Sequence, residues 1–135
     1  MKGVLLAMAI ACVLPVSVPH SAVAAERTLA PADRYFGRTK MSILGIRNTL
    51  QDCIQRADEH PETSGDLYGR ILLVDDALHD WQRAFPRDPW LPKFTCSLAQ
   101  VYRMLASDQA QERMATTMDW LIATYPTSVY AAMDP

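Results

Sequence analysis

The sequence predicts an all-α fold of four helices, arranged as two stacked antiparallel helical hairpins and followed by a short C-terminal turn. Apolar residues recur at spacings of three and four in four successive segments, which is the period of a helix buried on one face. No segment shows the alternation of apolar and polar residues that is typical of a strand. An aromatic residue followed by proline ends two segments, at Phe85-Pro86 and Tyr125-Pro126, which indicates a helical unit used twice.

The first 25 residues are predicted to be a secretory signal peptide. Lys2 provides a basic start, Gly3 to Leu14 is an apolar run, and small residues follow that suit cleavage after Ala24 or Ala25. The apolar run is shorter than the about 20 residues that cross a bilayer, so we expect no transmembrane segment. The mature protein is therefore expected to be soluble and periplasmic or secreted.

A lipid anchor is the alternative use of this segment. Ala9-Ile10-Ala11-Cys12 faintly resembles the box that precedes the acylated cysteine of bacterial lipoproteins. The residue three positions before that cysteine is usually a larger aliphatic, and the apolar run before Cys12 is very short. The sequence therefore favours a cleaved signal peptide over an anchor at Cys12.

The rest of the chain is predicted to contain a flexible leader, residues 26–31, and a single α-helical domain, residues 32–135. That length is typical of one small domain. The full chain has 13 Lys and Arg against 15 Asp and Glu, and no basic block interrupts it. A mildly acidic chain of this kind argues against nucleic acid as the main partner.

The first predicted helix runs from Ala32 to about Ala57, with Pro31 in its first turn. Asp58 to Gly65 contains a proline and a glycine among polar residues and is predicted to turn. The second helix, from Asp66 to Phe85, has the clearest periodicity, and Pro86 cannot continue it. The apolar stripe of the first helix is Phe36, Ile43, Ile46, Leu50, Cys53 and Ala57.

Polar residues mark where the remaining helices begin. Asp88 is predicted to cap the third helix, with Pro89 at its first position. Ser107 or Asp108 is expected to cap the fourth helix in the same way. Ser128 is expected to begin the short C-terminal turn.

Two cysteines, Cys53 and Cys96, follow the signal peptide. An even number of cysteines in an exported chain predicts a disulfide between them. The alternative is a redox-active pair, which normally has the close Cys-x-x-Cys spacing that this chain lacks. We therefore predict a structural Cys53–Cys96 bond.

The second hairpin resembles a tetratricopeptide-type repeat in two motifs. Leu98-Ala99-Gln100-Val101-Tyr102 matches the Leu-Ala-x-x-Tyr segment of that family's first helix. Tyr125-Pro126-Thr127-Ser128-Val129-Tyr130-Ala131 is similar to the closing segment of repeats in exported bacterial envelope proteins. The resemblance covers residues 88–131, whereas the first hairpin departs from the family pattern because its first helix is too long.

The resemblance implies a non-catalytic scaffold that presents its first and third helices to a peptide or partner protein. The spacing of the family's carboxylate clamp is not present, so no clamp residues are assigned. Trp120 lies one position off the apolar line of the fourth helix and is expected to be partly exposed, either as a binding anchor or packed against the C-terminal segment. Four basic residues of the first helix suit an acidic segment or a carboxylate: Arg34, Arg38, Lys40 and Arg47.

A metal site or enzyme is the rival interpretation. Asp75, Asp76 and His79 lie three and four residues apart on the second helix, so a carboxylate and an imidazole can share one side. The sequence offers no second cluster of ligands, no nucleophile motif and no phosphate loop, and it favours a solvated flank at these positions. We therefore predict no cofactor and no catalysis. An inhibitor or immunity-type protein is a further alternative that sequence does not separate from a scaffold.

Overall fold

The computed structural model describes residues 28–135 and confirms the all-α class. Residues 1–27 lie outside that description, and with them the predicted signal peptide, its cleavage after Ala24 or Ala25 and the alternative lipid site at Cys12. Within residues 28–135 no helix combines the length and the apolar content needed to cross a bilayer.

Four α-helices, a two-stranded ribbon and two 3-10 turns make up the described chain. α1, α2 and α3 pack against one another, whereas α4 packs mainly against α3. The helices therefore form an α1–α2 hairpin and an α3–α4 hairpin that meet through α3. In chain order the elements are β1 (Tyr35–Phe36), β2 (Met41–Ser42), α1 (Ile43–Glu59), a 3-10 turn (Pro61–Thr63), α2 (Ser64–Ala84), α3 (Leu91–Met104), α4 (Asp108–Thr124) and a second 3-10 turn (Val129–Ala132).

Trp81 of α2 lies in the hydrophobic core and is fully buried. The ring of Phe36 stacks on it with 5.4 Å between centroids, and the ring of Phe94 in α3 lies 5.8 Å away. Aliphatic side chains of α1 and α3, including Ile46 and Leu98, belong to the same cluster. The apolar stripes predicted from helical spacing thus meet in one core.

The first helix begins at Ile43 and not at Ala32, so its predicted start is wrong. Residues 35–42 form an antiparallel ribbon instead. Gly37 has a φ of 68° and Lys40 a φ of 54°, and this left-handed backbone cannot continue a right-handed helix. Ser42 then caps α1, because its Oγ accepts a hydrogen bond from the Gly45 N–H at 3.0 Å.

Two carboxylates of α2 hold the tip of the ribbon. Asp80 Oδ2 accepts from the Gly37 N–H, and Asp76 Oδ2 accepts from the Arg38 N–H, each at 2.8 Å. The Gly37 N–H keeps the pKa of Asp80 below its ordinary value. A Cβ built on Gly37 would lie 2.9 Å from Cα of Ala77, so only glycine permits this close approach to α2.

Asp88 caps the first turn of the third helix, as predicted, because its Oδ1 accepts the Trp90 N–H and its carbonyl accepts the Leu91 N–H. The regular part of the helix, α3, begins at Leu91, and Trp90 before it already has helical backbone angles. Asp88 is 1% exposed and accepts three N–H groups: from the backbone of Ala30 at 2.8 Å, from the indole of Trp81 at 3.1 Å and from the backbone of Trp90 at 3.1 Å. A predicted helix cap is therefore also a buried link between three parts of the chain.

The other predicted starting points are confirmed. Ser107 Oγ accepts from the Ala110 N–H and caps α4. Ser128 Oγ accepts from the Tyr130 N–H, so the C-terminal segment begins a 3-10 turn at the expected residue. These caps were predictable because each bond spans only two or three residues.

The predicted disulfide is not formed: Cys53 and Cys96 are both buried free thiols in the described chain. Cys53 belongs to the central hydrophobic cluster, whereas Cys96 lies outside it. Cys96 comes two positions after Phe94, which is about 200° around a helix, so Cys96 does not share the face through which Phe94 packs in the core. Burial raises the pKa of both thiols, which keeps them protonated and unreactive.

The glycines provide a matched pair of stability predictions. Gly37→Ala should destabilise the fold by more than about 1 kcal/mol, because alanine opposes the left-handed backbone and meets Ala77. Gly69→Ala should stabilise it by up to about 1 kcal/mol, because Gly69 lies inside α2 with open space around it. Urea unfolding followed by circular dichroism measures both changes. A Gly37→Ala protein as stable as the wild type would contradict the ribbon geometry.

Candidate functional site

A cleft of about 390 Å³ opens where the N-terminal segment, α1 and the start of α3 meet. Ala30 is fixed by its bond to Asp88, so residues of the predicted flexible leader form one wall. Residues of α1 and of the start of α3 line the rest of the cleft. Side chains on the walls of the cleft include Leu29, Ile43, Leu44, Arg47, Trp90 and Phe94.

Three large apolar side chains at this cleft are exposed to solvent. Leu29 is 54% exposed, Leu44 is 58% exposed and Trp90 is 50% exposed. They make up three of the seven large hydrophobic residues that are exposed in residues 28–135. Their convergence on one concavity distinguishes the cleft from the scattered apolar residues found on any protein surface.

Trp90 has a defined position in the cleft. Its ring stacks on Phe94 with 6.2 Å between centroids and 21° between the ring planes. The Lys93 ammonium lies 5.6 Å from the centre of the Trp90 ring, close enough for a cation–π contact. The Trp90 N–H is also bonded to Asp88. Trp90 is therefore a pre-positioned aromatic with half its surface open to a ligand.

The four basic residues predicted for partner binding do not form one helical face, so that placement is wrong. Arg34, Arg38 and Lys40 precede α1, in or beside the ribbon, and only Arg47 is on the helix. Arg38 lies at a second cavity beside α2. Arg47 alone lies at the apolar cleft.

The second cavity is polar and has a volume of about 410 Å³. Arg38, Asp76, His79 and Arg113 are among the residues that line it, together with Asp75. The lining of this cavity therefore combines arginine and aspartate side chains, in contrast to the apolar cleft.

Asp75 is the buried centre of this polar region and is only 6% exposed, which corrects the expectation of a solvated flank. It accepts a hydrogen bond from the Tyr102 hydroxyl of α3 at 2.8 Å. It also pairs with His79 Nε2 at 3.2 Å and with Arg113 of α4 at 3.5 Å. One carboxylate thus connects α2, α3 and α4.

The pKa values of this network follow from its contacts. Burial alone would raise the pKa of Asp75, but the hydrogen bonds from His79 and Tyr102 and the charge of Arg113 outweigh burial and lower it. Burial and the negative charge of Asp75 raise the pKa of Tyr102. The phenol therefore stays a hydrogen-bond donor and the carboxylate stays ionised at neutral pH.

The three residues of the proposed metal site line the same cavity, but their contacts are to different groups of the protein. Asp75 and His79 contact each other, but Asp76 accepts the Arg38 N–H. Within residues 28–135 no group of three His, Cys, Asp or Glu side chains is placed to hold a metal ion. The polar cavity is better described as a junction between helices.

Trp120, the other predicted anchor, packs against α2. Its ring stacks on His79 with 4.0 Å between centroids and 25° between planes, and it also packs against the hydrophobic core. Trp120 thus lies beside the polar cavity, and Trp90 is the tryptophan with the larger open face. Sequence reasoning missed Leu44 as a sign of a binding surface. Leu44 follows Ile43 in α1 but does not belong to the hydrophobic core, and its apolar side chain is exposed.

Searches of protein-family models, curated proteins and solved structures find no match to this chain. A function is therefore assigned from the two surfaces described above.

Asp75→Asn tests the polar junction. The substitution keeps the shape but removes the charge that faces Arg113 and His79, so we expect a loss of about 1–3 kcal/mol at pH 7. The folded-state pKa of Asp75 is lowered, so its stabilisation is present above the unfolded value near 3.8 and is lost as pH falls through the lower folded value. The stability difference between the two proteins should therefore shrink below about pH 4.

Urea unfolding at several pH values measures this difference. Asp119→Asn is the matched control, because Asp119 is exposed on α4. A difference between wild type and Asp75→Asn that does not change with pH, or a control that loses as much stability, would contradict the assigned role.

Proposed function

We propose that this protein is an exported, non-catalytic scaffold that binds a peptide segment of a partner protein in the cell envelope. The observation that carries the proposal is the convergence of exposed Leu29, Leu44 and Trp90 on one cleft. Exposed apolar surface around a concavity is typical of interaction sites, because covering it removes apolar area from water.

The dimensions of the cleft suit a short segment rather than a whole domain face. Its volume of about 390 Å³ lies at the lower end of the range for ligand pockets, about 300–1,000 Å³. A half-buried tryptophan is also a common energetic anchor of protein interfaces. These features favour one or two inserted side chains of an extended peptide.

The position of the cleft agrees with the family resemblance. Tetratricopeptide-type repeats are expected to present their first helices, here the first and third helices, to a ligand. Ile43, Leu44 and Arg47 of α1 and Phe94 of α3 all lie at the cleft. The export part of the proposal depends on the signal-peptide character of residues 1–25.

The rival role, a small metal protein or enzyme that uses Asp75, Asp76 and His79, has less support. The oxygens of Asp75 contact Tyr102, His79 and Arg113, and Asp76 accepts the Arg38 N–H. These contacts account for the cluster as a structural junction. An inhibitor or immunity-type role is one form of the proposed partner binding.

Selection of phage-displayed random heptapeptides on the purified exported protein tests the proposal. We expect enriched peptides with apolar side chains whose affinity falls about tenfold or more in Trp90→Ala, because truncating a tryptophan that anchors an interface costs about 2 kcal/mol or more and about 1.4 kcal/mol is a factor of ten. Leu44→Ser should weaken the same peptides. Fluorescence polarisation with labelled peptides measures the affinities.

Ile122→Ala is the matched control, because Ile122 is 48% exposed on α4 and is not part of the cleft. It should bind the peptides as the wild type does. Peptides that bind equally to wild type, Trp90→Ala and Leu44→Ser would contradict the proposed site.

A further inference from the structure

We infer that the cleft selects a peptide segment in which an acidic residue lies beside an apolar one. This inference rests on the proposed function and names the chemistry of its ligand. The juxtaposition that carries it is the exposed guanidinium of Arg47 beside Leu44 and Trp90 at one concavity.

Arg47 has no charged partner within the described chain. The other cation of α1, Arg56, pairs with Asp52 at 3.0 Å, and Arg70 of α2 pairs with the same carboxylate at 2.7 Å. The Arg47 side chain makes no hydrogen bond or ion pair with residues 28–135. A guanidinium presents several N–H donors in a fixed plane, so it is suited to bind a carboxylate with two bonds.

Asp88, the acidic residue at the cleft, is a poor partner for Arg47. Its two oxygens already accept three N–H groups, and it is 1% exposed. These N–H donors offset the negative charge of Asp88 inside the fold. Arg47, in contrast, lies on the solvent side of the cleft. An anionic group of a ligand therefore meets the unpaired Arg47 at the surface. The carboxylate of Asp88 lies below it and is already hydrogen-bonded.

A second cation reinforces this polarity. The Lys93 ammonium lies over the Trp90 ring, at 5.6 Å from its centre. Arg47 and Lys93 thus place positive charge near the apolar surface of a chain whose formal net charge is −2. The local sign is opposite to the overall sign, which favours an acidic ligand at this cleft over the rest of the surface.

The shape favours a peptide over an alkyl carboxylate, which shares the same chemistry. The apolar contacts come from three separate parts of the chain, with Leu29 in the N-terminal segment, Leu44 in α1 and Trp90 before α3. A space of about 390 Å³ accommodates one or two side chains, and about half of each of these residues is open to solvent. A long alkyl chain is better covered in a narrow enclosed tunnel.

The experiment uses the heptapeptides whose binding depends on Trp90, made with blocked ends and in two versions, with Glu and with Gln at the acidic position. For the wild type we expect the Gln version to bind about three- to tenfold more weakly, as for a partly exposed charge-assisted pair. Arg47→Gln should remove the difference between the two versions. Arg103→Gln, which makes the same change of charge at the exposed far end of α3, should retain it.

The possible failures are distinguishable. Binding that depends on Trp90 but is equal for Glu and Gln peptides overturns the acidic preference and leaves the proposed function intact. Peptide binding that does not depend on Trp90 contradicts the proposed function itself. Dodecanoate that binds in an Arg47-dependent manner, while no peptide binds, would identify an alkyl carboxylate as the ligand and overturn the peptide assignment.

Discussion

The carboxylate of Asp88 is the contact on which the cleft depends. A buried carboxylate costs several kcal/mol unless hydrogen bonds compensate it, and here three N–H groups do so. They come from Ala30 in the N-terminal segment, from Trp81 in the core and from Trp90 before α3. The same residue therefore fixes one wall of the cleft, orients the central tryptophan and sets the chain direction into α3. Partial burial of Tyr125, which follows α4, and the negative charge of Asp88 raise the pKa of the Tyr125 phenol to about 12.

Carboxylates of α2 act in the same way elsewhere in the fold. Asp76 and Asp80 hold the ribbon through backbone N–H groups, and Asp75 joins α2 to α3 and α4. Each bond connects elements that the hydrophobic stripes alone leave free to slide or rotate. The acidic residues that give the chain its mildly negative charge thus also determine how the helices are positioned. This division of roles leaves Arg47, which no carboxylate of the described chain neutralises, available at the surface.

The sequence predicted the helices well where the determinants are local. The stripe of α2 and the caps at Ser107 and Ser128 are correct, because helical spacing and capping act over a few residues. The start of α1 was predicted wrongly, since Phe36 fits the helical spacing although it reaches the core from a strand. The bonds that Asp76 and Asp80 accept from the ribbon decide where α1 begins, and the bond that Asp88 accepts from Ala30 holds the N-terminal segment. These bonds join residues 38 to 58 positions apart, so no local pattern in the sequence predicts them. The prediction of a disulfide was wrong for a related reason, because a cysteine count does not specify which way Cys96 faces. Of the cleft residues, only Arg47 was predicted.

Amide hydrogen exchange at Ala30 tests the central claim most directly. If Asp88 fastens the N-terminal segment, the Ala30 amide of the wild type exchanges much more slowly than an unstructured peptide, although it lies outside every helix and strand. Asp88→Ala removes both acceptor oxygens, so the bond from the Ala30 N–H is lost, and protection at Ala30 should fall while α2 amides stay protected. An Ala30 amide that exchanges at the unstructured rate in the wild type would contradict the account.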